Sequence, residues 1–404
     1  MFGVIRGERI DHPSTGRVVT RWRVLAPVVL FAVAAALGAL TATAGSGSSS
    51  PGLAAVRICN GARPGAGYRY VVLQAWQYGQ IAAIKRQSPG TKVLVYKDMA
   101  STRDDAVQNQ TALSTGVSYA YANRYHPEWF LKDTAGKRVN WASWPHSWQM
   151  DIGSRSYQRA WARNVARELR SRGWDGVFVD GISRTMDYPW YLNGRVLAKY
   201  PGANDYARAN TRFLRHVGPR LRRRHLVVGN INDATLPLWR RWIRFTSGVS
   251  KEWWTKSNAN RGAGMLSGAD WAFQTQLMRE AQARHKVFIA ISYGPADDMP
   301  AMDYARASFL LFARGSRTAF SYSPLCGVEP STPRWRQDVG APTGPAKQSG
   351  AVWLRQFANG IAVVNPSGSA TVTAPLGGVY LQPNGTAVTS LLLGPHSGAV
   401  LRKP

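Results

Sequence analysis

Apolar, β-rich runs recur along this chain, with helix-like segments between most of them. Tyr70–Trp76, Val93–Tyr96, Trp148–Ile152, Val177–Val179, Leu226–Val228, Gly248–Ser250, Val287–Ser292 and Thr318–Tyr322 make eight candidate strands. Each is nearly continuous in apolar residues, which fits strands covered on both faces. Between the third and fourth runs, Tyr157, Trp161, Val165 and Leu169 repeat every four residues, and Gly173 follows as a C-terminal stop. Trp271–Arg284 and Met302–Ala313 carry the same amphipathic pattern. Repeated strand–helix alternation predicts an α/β fold, a (β/α)8 TIM barrel.

The pattern changes at both ends. Gln337–Gly350 is rich in Gly, Pro and Ala, as linkers are. Beyond it, Val352–Phe357, Ile361–Val364, Thr371–Ala374 and Val379–Leu381 alternate between turns at Asn365-Pro366 and Pro383-Asn384-Gly385. These predict a small C-terminal all-β, sandwich-like domain. At the N-terminus, Arg21 and Arg23 precede an apolar run from Val24 to Leu40, then Ala42-Thr43-Ala44. That is the layout of a secretory signal, although the run is also close to the length of an anchoring helix. The expected organisation is an extension with signal or anchor at 1–44, a flexible linker at 45–58, a catalytic barrel at 59–337, a linker at 338–350 and the β-domain at 351–404.

Within the barrel pattern, Gly173-Trp174-Asp175-Gly176-Val177-Phe178-Val179-Asp180-Gly181 ends an apolar strand abruptly in a carboxylate and a glycine. A charged residue at the C-terminal end of a barrel strand stands at the mouth, where chemistry is done; the alternative is an Asp that caps the next helix. Glu252 has a comparable address just past the sixth strand, and strands four and six are next-but-one neighbours. Two facing carboxylates suffice to hydrolyse a glycosidic bond. Separations near ~5–5.5 Å give retention and ~6.5–9.5 Å inversion, and sequence does not choose between them. Trp253 and Trp254 flank Glu252 and are positioned to shield it from water and raise its pKa.

Other polar groups share strand-end positions: Trp76 on the first strand, Lys97 and Asp98 on the second, Asp151 on the third, Asn230 and Asn232 on the fifth, Tyr293 on the seventh. Together they form a candidate substrate-binding ring, although each alone is as compatible with a cap or a supporting group. The segment from Ala100 to Ser147 is too long for an ordinary connection and is rich in aromatics, among them Tyr121, Tyr125, Trp129, Trp141 and Trp144. It is expected either to cover the mouth as a cleft or lid, or to pack its aromatics on one another.

Composition narrows the classes. The 404 residues are 45% hydrophobic and 11% aromatic, which is globular, and 16 are Trp, suited to sugar stacking or to core filling. The formal net charge of +29 points toward polyanions. The arginines, however, are spread along helices such as Ser154–Arg172 and Asn204–Arg224, so no nucleic-acid function is assigned. Cys59 and Cys326 are the two cysteines, expected to join as a staple in an exported protein or else to remain buried thiols. No phosphate loop, dinucleotide fingerprint, HExxH or G-x-S-x-G is present, so neither cofactor nor metal is expected.

Glu128-Trp129-Phe130-Leu131-Lys132-Asp133, Gln149-Met150-Asp151 and the Trp174–Gly181 stretch resemble bacterial hypothetical glycoside hydrolases with a TIM-barrel fold, distantly similar to endo-α-1,4-polygalactosaminidases. The resemblance spans roughly Tyr70 to Tyr322. It implies a glycoside hydrolase with Asp180 as nucleophile and Glu252 as acid/base. The expectation is a secreted or envelope-attached monomer acting on a polysaccharide or oligosaccharide, with possible membrane association through an uncleaved N-terminal segment. The rival from another class is a catalytically silent carbohydrate-binding barrel.

Overall fold

A computed structural model describes residues 51–59, 62–106 and 113–404. The expected signal or anchor at Val24–Leu40 lies outside the described residues. Among the described residues, no helix is long and apolar enough to cross a membrane.

Eight parallel strands close into a barrel: β1 (Gly52–Arg57), β2 (Tyr68–Leu73), β3 (Lys92–Asp98), β7 (Gly176–Ser183), β8 (Leu226–Asp233), β9 (Gly248–Lys251), β10 (Val287–Tyr293) and β11 (Thr318–Ser323). A three-stranded antiparallel sheet of β4 (Ser101–Arg103), β5 (Asn140–Trp141) and β6 (Trp144–Gln149) interrupts the series after β3. The helices are α1 (Ile81–Gln87), α2 (Tyr119–Tyr125), α3 (Arg155–Arg172), α4 (Pro189–Leu192), α5 (Ala203–Leu221), α6 (Leu236–Trp242), α7 (Gly268–Ala283), α8 (Met299–Phe312) and α9 (Pro333–Arg336).

Two expectations change here. Trp148–Ile152 is not a barrel strand, because β6 pairs antiparallel with β4, Ser101 opposite Gln149. An antiparallel partner lay nearby in the chain, whereas joining a parallel sheet needs a crossover. The missing strand is β1, which lies in the segment expected to be linker. It pairs with β2 over Leu53–Arg57 and closes the barrel against β11 through Gly52 and Leu53. The barrel therefore starts at Gly52. One strand is lost and one gained ahead of β7, so Asp180 stays on the fourth barrel strand and Glu252 just past the sixth.

Alternation sorts every strand into two faces. Val56, Val72, Leu94, Phe178, Val228, Ile289 and Ala319 fill the inside, and residues of opposite parity pack under the helices. Tyr157, Trp161, Val165 and Leu169 of α3 are buried as the four-residue spacing predicts, and Gly173 ends the helix with φ +74°, a left-handed conformation that glycine adopts readily.

The C-terminal domain is all-β, a six-stranded antiparallel sheet in the order β12 (Lys347–Ser349), β13 (Val352–Phe357), β14 (Gly360–Asn365), β17 (Ser397–Arg402), β15 (Val372–Leu381) and β16 (Ala387–Leu393). β12 lies inside the segment expected to be a linker. Helix α8 is buried from Ala301 to Phe312, between the barrel and β14 and β17. Arg355 of β13 reaches across to donate to the carbonyls of Leu310 and Ala313 at the end of α8.

Candidate active site

Cys59 and Cys326 form a disulfide. Both lie beyond the C-terminal ends of their strands, Cys59 after β1 and Cys326 after β11. Because β1 and β11 are neighbours in the closed barrel, the two cysteines meet and form the expected staple.

Asp180 lies on β7 with Asp98 as its register partner on β3. The β7–β8 register breaks after Val179, and Gly181 has φ +81°. No side chain fits at Gly181: a Cβ there would come within 2.6 Å of Asp98 Oδ1. The half-buried Asp180 carboxylate accepts from Tyr96 Oη at 2.6 Å and from Asn230 Nδ2 at 3.0 Å. Tyr96 and Asp98 share the inward parity of β3. The Tyr96 hydroxyl, buried and beside Asp180, has its pKa pushed far up and so stays a donor.

Glu252 follows β9 at a sharp turn. Trp253 adopts φ +56°, unusual for a bulky residue and costing roughly 1–2 kcal/mol. The turn is pinned on both sides. Glu252 N donates to Asn232 Oδ1 at 3.1 Å, and Trp254 N to the Ile291 carbonyl at 2.8 Å. Glu252 accepts from Tyr293 Oη at 2.6 Å on one oxygen, and from Asn230 and Asn232 Nδ2 at 2.7 and 2.8 Å on the other. Asn230 Nδ2 thus donates to Asp180 and to Glu252 together. Two oxygens within 3.0 Å of one nitrogen are less than about 6 Å apart. Burial first, then the charge of Asp180, push the Glu252 carboxyl above the ordinary glutamate value. Burial and Asp180 likewise raise Asp98 to about 6.

The other expected site residues divide. Asn230, Asn232 and Tyr293 converge on the two carboxylates, and Trp253 stacks edge-on against Tyr293 with centroids 4.9 Å apart. Asp98 lies inside but spends its oxygens on Ala100 N and the Ser101 hydroxyl. Trp76 follows β2 at the mouth and is half exposed. Lys97 belongs elsewhere. It has outward parity, is 1% exposed, and pairs with Glu168 of α3 at 2.7 Å. Asp151, with its strand reassigned, is bound by Lys199, Tyr200 and Gly153 N rather than placed beside Asp180. Trp254 does not shield Glu252; it is buried under α8 and donates to the Ala305 carbonyl.

The long segment after β3 does both of the things expected of such a loop. Tyr121, Tyr125, His126 and Trp129 pack on one another, with His126 stacked on Trp129 at 3.8 Å. Trp141 instead reaches the mouth and lines a cavity with Tyr191, Met186, Asp180, Asn232 and Asp233. Sequence reasoning missed Tyr96 and Tyr191. Tyr96 was detectable, since it precedes Asp98 by two and so faces the same way; Tyr191 carried no such signal. Lys251, also outward, braces the site by donating to the Asn232 carbonyl at 2.8 Å, and burial lowers its pKa to about 8.

No curated protein matches the chain by sequence. Among solved structures it is similar to Aspergillus fumigatus Ega3 in complex with galactosamine (12% identity, TM-score 0.44, covering 72% of this chain and 99% of that one). It is also similar to the maltogenic α-amylase AmyB of Thermotoga neapolitana (11%, 0.45, 83% and 90%) and to the GH31 dextranase FjDex31A of Flavobacterium johnsoniae (10%, 0.45, 83% and 47%). Residues 85–361, more than half of the chain, match the model of hypothetical glycosyl hydrolase family 15. The chain belongs to that family, and is a glycoside hydrolase built on a closed (β/α)8 barrel.

Proposed function

We propose that this enzyme is a retaining glycoside hydrolase acting on an extracytoplasmic polysaccharide, with Asp180 as nucleophile and Glu252 as general acid/base. The observation that carries the reading is the single Asn230 nitrogen shared by both carboxylates. The nearest oxygens of the two carboxylates lie less than about 6 Å apart, closer than the roughly 6.5–9.5 Å that admits a water between sugar and base, which supports direct attack by one carboxylate on the anomeric carbon.

The roles follow from the surroundings. Burial first, then the neighbouring charge of Asp180, raise the Glu252 carboxyl, which favours it as the group that carries the proton. Glu252 protonates the glycosidic oxygen while Asp180, aimed by Tyr96 and Asn230, bonds to the anomeric carbon and the leaving sugar departs. Glu252, now ionised and held by Tyr293 and Asn232, then takes a proton from water as that water displaces Asp180. Trp141 and Tyr191 supply flat faces against which a sugar ring can pack. The disulfide supports an oxidising compartment.

The test is a polysaccharide panel assayed with wild type, Asp180→Asn and Glu252→Gln, and the anomer first released followed by NMR. Both variants should fold and lose at least about a thousandfold in turnover. The first product should keep the configuration of the substrate. Inversion, or turnover surviving Asp180→Asn, would remove the proposal.

A further inference from the structure

The net charge of +29 is not used by the catalytic site. The fold gathers part of it onto one wall. On α3, Arg155, Arg159, Arg163, Arg167 and Arg170 recur at intervals of four, four, four and three, and all are exposed. Such spacing places them on one face. Among the described residues none of the five pairs with a carboxylate. The helix's single acidic residue, Glu168, is turned inward to Lys97. Neighbouring α5 presents exposed Arg208, Arg212 and Arg215 on its own outer face, with Arg222-Arg223-Arg224 just past its end.

The two stripes are joined. Arg155 reaches across to His216 Nδ1 of α5 at 3.0 Å. The His216 pKa is lowered by burial first, then by Arg220, Arg155 and Arg159, so the positive field of one helix is felt on the other. Helix α3 starts at the mouth, where Tyr157 Oη donates to the carbonyl of Met99 just past β3, and ends at the far rim. Arg155 to Arg170 therefore run for about 22 Å down the wall from the level of the catalytic cleft.

We infer that the α3–α5 wall is a docking face for an acidic polysaccharide. Guanidinium forks pair with carboxylates in two-point hydrogen bonds, and a row of them at ~6 Å rise suits a polymer with repeating charge. A bilayer fits less well, because no exposed large hydrophobic residue lies on either helix to enter it. Nucleic acid fits less well because neither helix itself carries an exposed aromatic for base stacking. The inference rests on the enzyme acting on polysaccharide, and not on the roles of Asp180 and Glu252.

The test uses the full chain and Arg159→Glu/Arg163→Glu/Arg167→Glu, with the triple Arg→Lys change as charge-preserving control. Binding is measured to polygalacturonate, neutral dextran, phosphatidylglycerol vesicles and a short DNA duplex. Wild type should bind polygalacturonate and lose roughly tenfold in affinity between about 50 and 300 mM salt. The Glu variant should bind it at least about tenfold more weakly with an unchanged circular dichroism spectrum, and the Lys variant should stay close to wild type. Docking is read by binding and the catalytic assignment by turnover of Asp180→Asn, so a failure of one and a failure of the other remain distinct. No binding at low salt, binding unchanged in the Glu variant, or an equal or larger loss on vesicles or duplex would overturn the inference.

Discussion

Replacing Asn230 with Ala tests whether the two carboxylates act as one unit. Asn230 is buried, and its amide nitrogen lies 3.0 Å from Asp180 Oδ1 and 2.7 Å from Glu252 Oε2. A hydrogen bond to a charged group contributes roughly 1.5–3 kcal/mol. During glycosylation Asp180 loses charge and Glu252 gains it, so the bond to Glu252 tightens as the bond to Asp180 slackens. The net loss in the transition state is then about one such bond, and kcat/KM should fall roughly 10- to 100-fold. The pH profile is the sharper readout. Removing a donor from a carboxylate favours its protonated form, so the bell-shaped profile of kcat/KM should move as a whole toward higher pH, by roughly one unit. A merely structural Asn would lower the amount of folded enzyme and leave the profile in place. An Asn230→Ala enzyme with kcat/KM within about twofold of wild type and an unmoved profile would refute the reasoning.

Tyr293→Phe removes the donor 2.6 Å from Glu252 Oε1, so the proton on Glu252 should be held to higher pH. The alkaline limb of the profile should rise by roughly one unit while kcat drops about tenfold, both visible in a pH series. Lys97→Met strands Glu168 without its partner and should lower stability by roughly 3 kcal/mol in urea titrations, with kcat/KM of the folded enzyme unchanged. A selective rise in KM would instead return Lys97 to the substrate. Cys59→Ser opens a closure spanning 267 residues and should lower stability by about 2–5 kcal/mol, an effect that reductant on wild type should reproduce.

What the sequence determined by itself is local. The four-residue spacing from Tyr157 to Leu169 made α3, Gly173 stopped it, and the apolar runs around Phe178, Val228 and Ile289 made buried strands. The abrupt carboxylate at Asp180 marked the mouth because a charge at the end of an apolar strand has few other places to go. Tertiary structure decided which runs pair. Gly52–Arg57 is short, follows Ser, Gly and Pro, and becomes a barrel strand only because β2 and β11 flank it. Trp148–Gln149 has the composition of a barrel strand, yet β4 takes it first as an antiparallel partner. The same dependence governs the site. Lys97 and Asp98 are adjacent letters, and the pleat sends one to Glu168 outside and the other inside. That Asn230 reaches Asp180 and Glu252 at once depends on the closure of the barrel, the break at Gly181 and the turn at Trp253. A linear pattern records the period of each element, but not the distances set when distant segments close on one another.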